Sequence, residues 1–158
     1  RIKELLEVLE ETNGKVIIWA VYRYDIQEIE KTLGEKYGKE SVATYYGDTK
    51  DNLRQSIVDR FMDADDVLRF FVGNPKTGGY GLTLTSSHTV VYYSNDYSLE
   101  VRLQSEDRAH RIGQTNKVTY VDLMADHTID ERIVKALNAK IDLASQVMGE
   151  DPKKILFG

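Results

Sequence analysis

Cysteine is absent from this 158-residue chain, which excludes a disulfide scaffold, a Cys-ligated zinc site and thiol catalysis. Proline occurs only twice, and no Pro/Gly/Ser-rich linker, repeat or low-complexity tract divides the sequence. Long apolar runs are missing too: none approaches the ~20 residues of a membrane span, and none has the order of a secretion signal. Nor is there a surplus of positive charge. Lys+Arg number 21 against 26 Asp+Glu, a net −5, which argues against a protein that coats nucleic acid by bulk charge. Histidine is rare, and His88, His110 and His127 lie too far apart for ligand spacing, so no metal site is expected. Asp65-Asp66 and Glu10-Glu11 read as solvated charge rather than as a paired acid and base. The chain opens on Arg1 rather than Met and is expected to be a piece of something longer.

What is present is the composition of an ordinary globular domain, 41% hydrophobic and 30% charged. A chain of this length can bury roughly 70% of its unfolded surface. Two periodicities alternate along it. Ile2, Leu5, Leu6 and Leu9 recur at helical spacing up to the stop at Asn13-Gly14. Short β-branched or aromatic runs, each strand-like, occupy 15–22, 41–46, 67–72, 89–94 and 117–124. Between them Ile26, Ile29, Leu33 and Tyr37, then Leu53, Ile57 and Phe61, mark amphipathic helices, and Ser98 to about Ile112 reads helical. A last helix, 128–148, opens on a capping box of Thr128 and Glu131 and carries the stripe Ile129, Ile133, Leu137, Ile141 and Ala144. Strands alternating with helices imply parallel βαβ units. The expected fold is α/β: one domain over 1–150 with an open, mostly parallel sheet and helices on both faces, followed by a tail at 151–158. In such sheets function is expected in loops at the carboxyl ends of strands, which here begin at Val21, Gly47, Gly73 and Ser94.

Two segments carry chemistry. Asn74–Thr85 places Gly78, Gly79 and Gly81 directly after a strand, where glycines let backbone N–H groups approach a phosphate or simply permit a turn. It is not a dinucleotide fingerprint, because the third glycine would fall at Leu84, and it is not a P-loop. Gly14-Lys15 and Gly38-Lys39 lack the rest of a P-loop as well. The second segment, QSEDRAHRIGQ at Gln104–Gln114, sets Gln104, Arg108 and Arg111 on one face of a helix. Two guanidiniums without an apolar stripe suit an anion, since the planar fork matches phosphate oxygens bidentately. A solvated charged helix partnered by Glu106 and Asp107 is the alternative.

Together these segments resemble a known family. GGYGLTLT, followed 23 residues after Gly81 by QSEDRAHRIGQ, is similar to motifs V and VI of the Swi/Snf-type DNA-dependent ATPases of helicase superfamily two. The strand at 15–22, the turn Tyr45–Thr49 and the helix from Thr128 to Met148 resemble that family's motif IV, the element after it and the helix after motif VI. The resemblance spans essentially the whole chain and implies the second, C-terminal RecA-like lobe of a motor. It implies that Arg108 and Arg111 act as arginine fingers towards ATP, with Gln104 beside them and Gly79 and Gly81 as backbone close to the nucleotide. It also implies contacts to a DNA backbone, that of a duplex, from Gly47, Thr49, Lys76, Thr77 and Tyr97. ATP and Mg²⁺ would be bound chiefly by a first lobe of the same protein, whose P-loop and acidic motif do not occur here. The chain alone is then expected to hydrolyse no ATP. The resemblance implies no membrane partner and an intracellular location, nuclear in a eukaryote.

Two departures stand out. Thr83 replaces the family's motif V Asn and keeps a hydrogen-bonding side chain, and Tyr97-Ser98-Leu99 replaces its W-N-P. No inserted module separates motifs IV and VI, so a compact bacterial or viral member is expected. Rival readings are a nucleotide-cofactor enzyme and a non-catalytic interaction or receiver-type domain. The first wants glycines after the first strand, where Ala20–Tyr24 has none; the second has a lone phosphoacceptor candidate in Asp48.

Overall fold

The five apolar runs form five parallel strands, β1 (Val16–Trp19), β2 (Val42–Tyr45), β3 (Phe70–Gly73), β4 (Thr89–Tyr92) and β5 (Thr119–Asp122). They belong to a computed structural model that describes residues 1–77, 82–124 and 129–148. Gly78, Gly79, Gly81, His127, the Thr128 half of the capping box and the tail at 151–158 lie outside the described residues. The helices are α1 (Ile2–Glu10), α2 (Arg23–Tyr37), α3 (Asp51–Met62), α4 (Leu99–Asp107) and α5 (Ile129–Met148).

Side chains alternate across the pleat, and both faces are buried. Val16, Ile18, Val42, Phe70, Val72 and Val91 meet Leu5 and Leu9 of α1 and Ile26, Ile29 and Leu33 of α2. Ile17, Trp19, Tyr45, Phe71, Val90 and Tyr92 meet Phe61 of α3 and Ala109 just beyond α4. Burial on both sides is why these strands read as continuous apolar runs. Strand order is β2-β3-β1-β4-β5. The chain steps outward from β1 to β2, then reverses direction to reach β3, β4 and β5. Right-handed crossovers made in opposite directions put their helices on opposite faces. Hence α2 covers one side, and α3 and α4 the other. The receiver-type order is 2-1-3-4-5 and the dinucleotide-binding order 3-2-1-4-5-6, so the sheet matches neither of those two arrangements.

On the second face the last register row reads Tyr45, Gly73, Trp19, Tyr92 and Asp122. Phe71 is ringed by Trp19, Tyr45 and Phe61, with ring centroids 5.4–5.9 Å away. Gly73 is the gap that admits Trp19 and Tyr45 side by side: a Cβ there would lie 2.8 Å from the Tyr45 carbonyl oxygen. Two helical expectations need correction. Leu53 is 49% exposed, so α3 reaches the core at Phe61 rather than along the whole stripe. And α4 ends at Asp107, short of Ile112.

Candidate functional site

The course of α4 decides where its arginines arrive. Asp96 Oδ1 accepts from the Ser98 N–H at 2.8 Å, and the Ser98 hydroxyl caps the helix by accepting from the Val101 N–H at 3.3 Å. The helix therefore starts at the carboxyl end of β4 and runs back along the sheet. Its nine residues cover ~13 Å, about the length of a four-residue strand. Residues following α4 are thus delivered to the amino ends of the strands. The candidate arginines therefore lie at the rim opposite the loops after Val21, Gly47, Gly73 and Ser94.

Past Asp107 the backbone leaves the helical path. The Arg108 carbonyl accepts from the Leu84 N–H at 2.9 Å, drawing the chain onto the segment before β4. Gly113, at φ +102°, turns the chain, and the Gln114 side-chain amide then reaches the carbonyls of Thr85, Ser87 and Ala109 at 2.9–3.1 Å. Ser87 in turn donates to the Lys15 carbonyl at the foot of β1.

In this setting Arg108 and Arg111 converge, although not as neighbours on a helix face. Arg111 Nη1 donates to the Leu82 carbonyl at 2.8 Å and to the Thr83 hydroxyl at 3.2 Å. Arg108 Nη1 approaches the same Leu82 oxygen at 3.4 Å, while its Nε donates to the Gln104 carbonyl at 2.9 Å. Gln104 joins through its backbone; its side-chain amide donates to Glu100. Asp107 lies 3.8 Å from Arg111 Nε. Arg108 is 4% exposed, and burial first, then the Arg111 charge, holds its guanidinium below the ordinary arginine range. Two guanidiniums facing one nearby carboxylate leave a local positive excess on a chain of net charge −5.

Gly47, Thr49, Lys76, Thr77 and Tyr97 lie at the opposite, carboxyl rim. The Gly47 turn is staked by Thr49, whose hydroxyl donates to the Thr44 carbonyl and accepts from the Tyr46 N–H, both at 3.1 Å. Arg54 donates to the carbonyls of Tyr46 and Thr49 at 3.3 Å. Gly47 lacks a positive φ and has open space where a Cβ would sit, so the fold does not demand glycine there. Lys76 pairs with Asp96 at 3.2 Å, and Arg23 with Asp48, the receiver-type candidate, at 3.0 Å. Thr77 is half-buried. Tyr97 is 45% exposed, and its carbonyl accepts from Lys140 of α5 at 2.6 Å. Tyr45, Tyr92 and Tyr93 are buried and serve packing. Among the described residues no group of three or more His, Asp or Glu could hold a metal ion.

Sequence reasoning missed Arg102. Its guanidinium makes a two-pronged pair with Asp122 at 2.6 and 3.1 Å, and also reaches Asn95 at 2.8 Å and Glu106 at 2.9 Å. It lies over the Tyr92 ring, 3.6 Å from the centroid. The one signal in the sequence was an arginine four residues before Glu106, a common helical pair.

A five-stranded parallel sheet in this order, with paired arginines at its amino rim, defines a RecA-like α/β lobe. The crystal structure of the C-terminal part of the Fun30 ATPase domain shares the fold, with a TM-score of 0.74 and 27% identity over 86% of this chain and 43% of that one. The chain belongs to the helicase conserved C-terminal domain family, matched over residues 1–113, in its Swi/Snf-type branch. It is 33% identical over 156 residues to the ATP-dependent helicase fft2 of Schizosaccharomyces pombe, covering 98% of this chain and 12% of that protein. It is 31% identical over 144 residues to the human chromatin-remodeling ATPase INO80, covering 91% of this chain and 9% of that protein. The chain thus spans only a small part of the curated relatives it matches.

Proposed function

We propose that residues 1–150 form the second motor lobe of an ATP-dependent DNA translocase of the Swi/Snf type. In this reading Arg108 and Arg111 are arginine fingers for a nucleotide held on a first lobe. The observation that carries it is the convergence of both guanidiniums on the Leu82 carbonyl at 2.8 and 3.4 Å, with Asp107 as nearby counter-charge. A weak backbone acceptor is readily exchanged for phosphate oxygens, which bind a guanidinium fork more strongly. The donor set therefore fits a triphosphate. ATP supplies the phosphoanhydride bond whose cleavage drives the cycle, and Mg²⁺ accompanies it on the first lobe. Arg108, held from behind by the Gln104 carbonyl, fixes the approach of the pair; Arg111, about a third exposed, reaches outward. For Gly79 and Gly81 the nucleotide role rests on the resemblance alone.

The carboxyl rim is the DNA side in this reading. Gly47 leaves room for a backbone to approach, Lys76 and Thr77 offer donors, and Tyr97 offers an exposed ring for stacking. Nucleotide and strand would then be served by opposite ends of one sheet. Closure of the lobes around Arg108 and Arg111 would alternate with reopening, and the change in grip becomes stepping. The chain alone has fingers but no cradle, and is expected to show no ATP turnover.

ATP turnover by the full-length protein carrying Arg111→Ala tests this. Loss of a finger costs roughly 10³–10⁵ in rate. Turnover near wild type would sink the assignment.

A further inference from the structure

We propose that Arg102 is a positioning residue for the motor's chemistry: it fixes α4 on the sheet so that Arg108 and Arg111 arrive together at the Leu82 carbonyl. The proposal rests on the finger reading and adds what holds the fingers in place.

The first argument is that α4 has little apolar surface to hold it. Its buried residues are Leu103 and Ser105, whereas α2 buries Ile26, Ile29 and Leu33. One leucine presses a helix onto a sheet but resists rotation about its axis and sliding along it poorly. The second argument is what Arg102 does. From the middle of α4 it grips three separate places: Asp122 at the carboxyl end of β5, Asn95 after β4, and Glu106 one turn on. Its plane is stacked on Tyr92 of β4, whose hydroxyl bonds Ser105 at 2.7 Å, and Ser105 returns to the Arg102 carbonyl at 2.8 Å. Helix rotation and sliding are both locked by these directional contacts. Burial opposes the Arg102 charge, but Asp122, Tyr92 and Glu106 outweigh it and hold the guanidinium above the ordinary arginine range.

A buried ionic cluster is weak evidence for stability as such, since apolar residues of like volume often serve as well; its best-attested use is to fix a register. Here the register has a consequence. Arg108 follows Arg102 by six residues, ~9 Å along the axis. A slip of one residue would rotate the helix by ~100° and move it ~1.5 Å, enough to take Arg108 off the Gln104 and Leu82 carbonyls. Misplacement of a catalytic group by ~1 Å can cost about 10²-fold in rate.

The test is a kinetic cycle in the full-length protein, reading DNA-stimulated ATP turnover with Arg102→Lys, Arg111→Ala and the double variant. Lysine keeps the charge but cannot grip Asp122, Asn95 and Glu106 in one plane. The expected result is a kcat lower by roughly 10–100-fold for Arg102→Lys, with KM for ATP and DNA affinity little changed. Adding Arg102→Lys to Arg111→Ala should then cost clearly less than it does alone, only the part that acts through Arg108. If Arg102 merely supports the fold, the two losses multiply, and that result overturns the proposal. So does a wild-type kcat in Arg102→Lys. A wild-type kcat in Arg111→Ala would instead refute the finger reading. Should Arg102→Lys fail to fold, Glu106→Gln keeps the shape and the hydrogen bond while weakening the grip. It should show a smaller fall in kcat with the same non-additivity, and full turnover there would count against the proposal.

Discussion

Gly73→Ala is the most direct probe of how the carboxyl rim is assembled. The added methyl would sit 2.8 Å from the Tyr45 carbonyl oxygen, 3.0 Å from Trp19 Cζ3 and 3.2 Å from Phe71 Cε1. Two of these neighbours are rings locked in the aromatic cluster, and the nearest is backbone in a paired strand. None is the free end of a flexible side chain, so β2 or the Trp19 ring must shift. Overpacking of this kind costs about 1–3 kcal/mol. Against it stands a gain of about 0.4–1 kcal/mol, because alanine narrows the unfolded ensemble. The steric cost wins, leaving a net loss of about 1–2 kcal/mol. For a domain of this size that lowers Tm by roughly 2–8 °C. Thermal and urea unfolding of the 158-residue chain would read it, with m unchanged. Gly47→Ala is the control: open space surrounds that position and φ is not positive, so stability should hold or rise slightly. Equal stabilities for the two alanine variants would refute the argument from close approach.

The DNA side and the acid limb of stability each give a further measurement. In the full-length protein, Lys76→Ala should weaken DNA binding uniformly across sequences and reduce the salt slope by about 1, while Asp96→Asn, which frees Lys76 but keeps the acceptor for the Ser98 N–H, should strengthen binding. An unchanged salt slope in Lys76→Ala would remove Lys76 from the interface. Asp66 is held below the ordinary carboxylate range by the Leu68 N–H first and by Arg60 second. Its folded pKa lies below its unfolded one, so its contribution is present above about pH 4 and is lost as pH falls through the folded value. Asp66→Asn should therefore flatten the fall in urea midpoint between about pH 4 and 2, and an unaltered pH profile would contradict the pairing.

The sheet was legible because parallel strands buried on both faces cannot hide their composition: Val16–Trp19 and Phe70–Val72 are apolar at every position. The two-sided helix layer followed from alternation alone. Strand order did not, since nothing local says that β3 inserts between β1 and β2. The end of α4 was misread for a similar reason. Its helical spacing continues past Asp107, but the Arg108 carbonyl is taken by the Leu84 N–H, a partner 24 positions upstream. Propensity sees neighbours, not a distant backbone group. The arginines' arrival at the amino rim was within reach, because a nine-residue helix returning along a four-residue strand must end at the opposite side. Arg102 escaped notice because its value lies in Asp122, Asn95 and the Tyr92 ring, which only the folded sheet brings together.

The connection between β3 and β4 starts at one rim with Lys76 and Thr77 and has reached the other by Leu82, where it meets both arginines. Five peptide steps therefore join the two ends of the lobe by covalent chain. In the proposed reading, grip and chemistry are then not separable modules. A chimera that imports this segment from a relative to alter one rim also replaces the carbonyl on which the arginines rest at the other. Any graft must be judged at both ends at once.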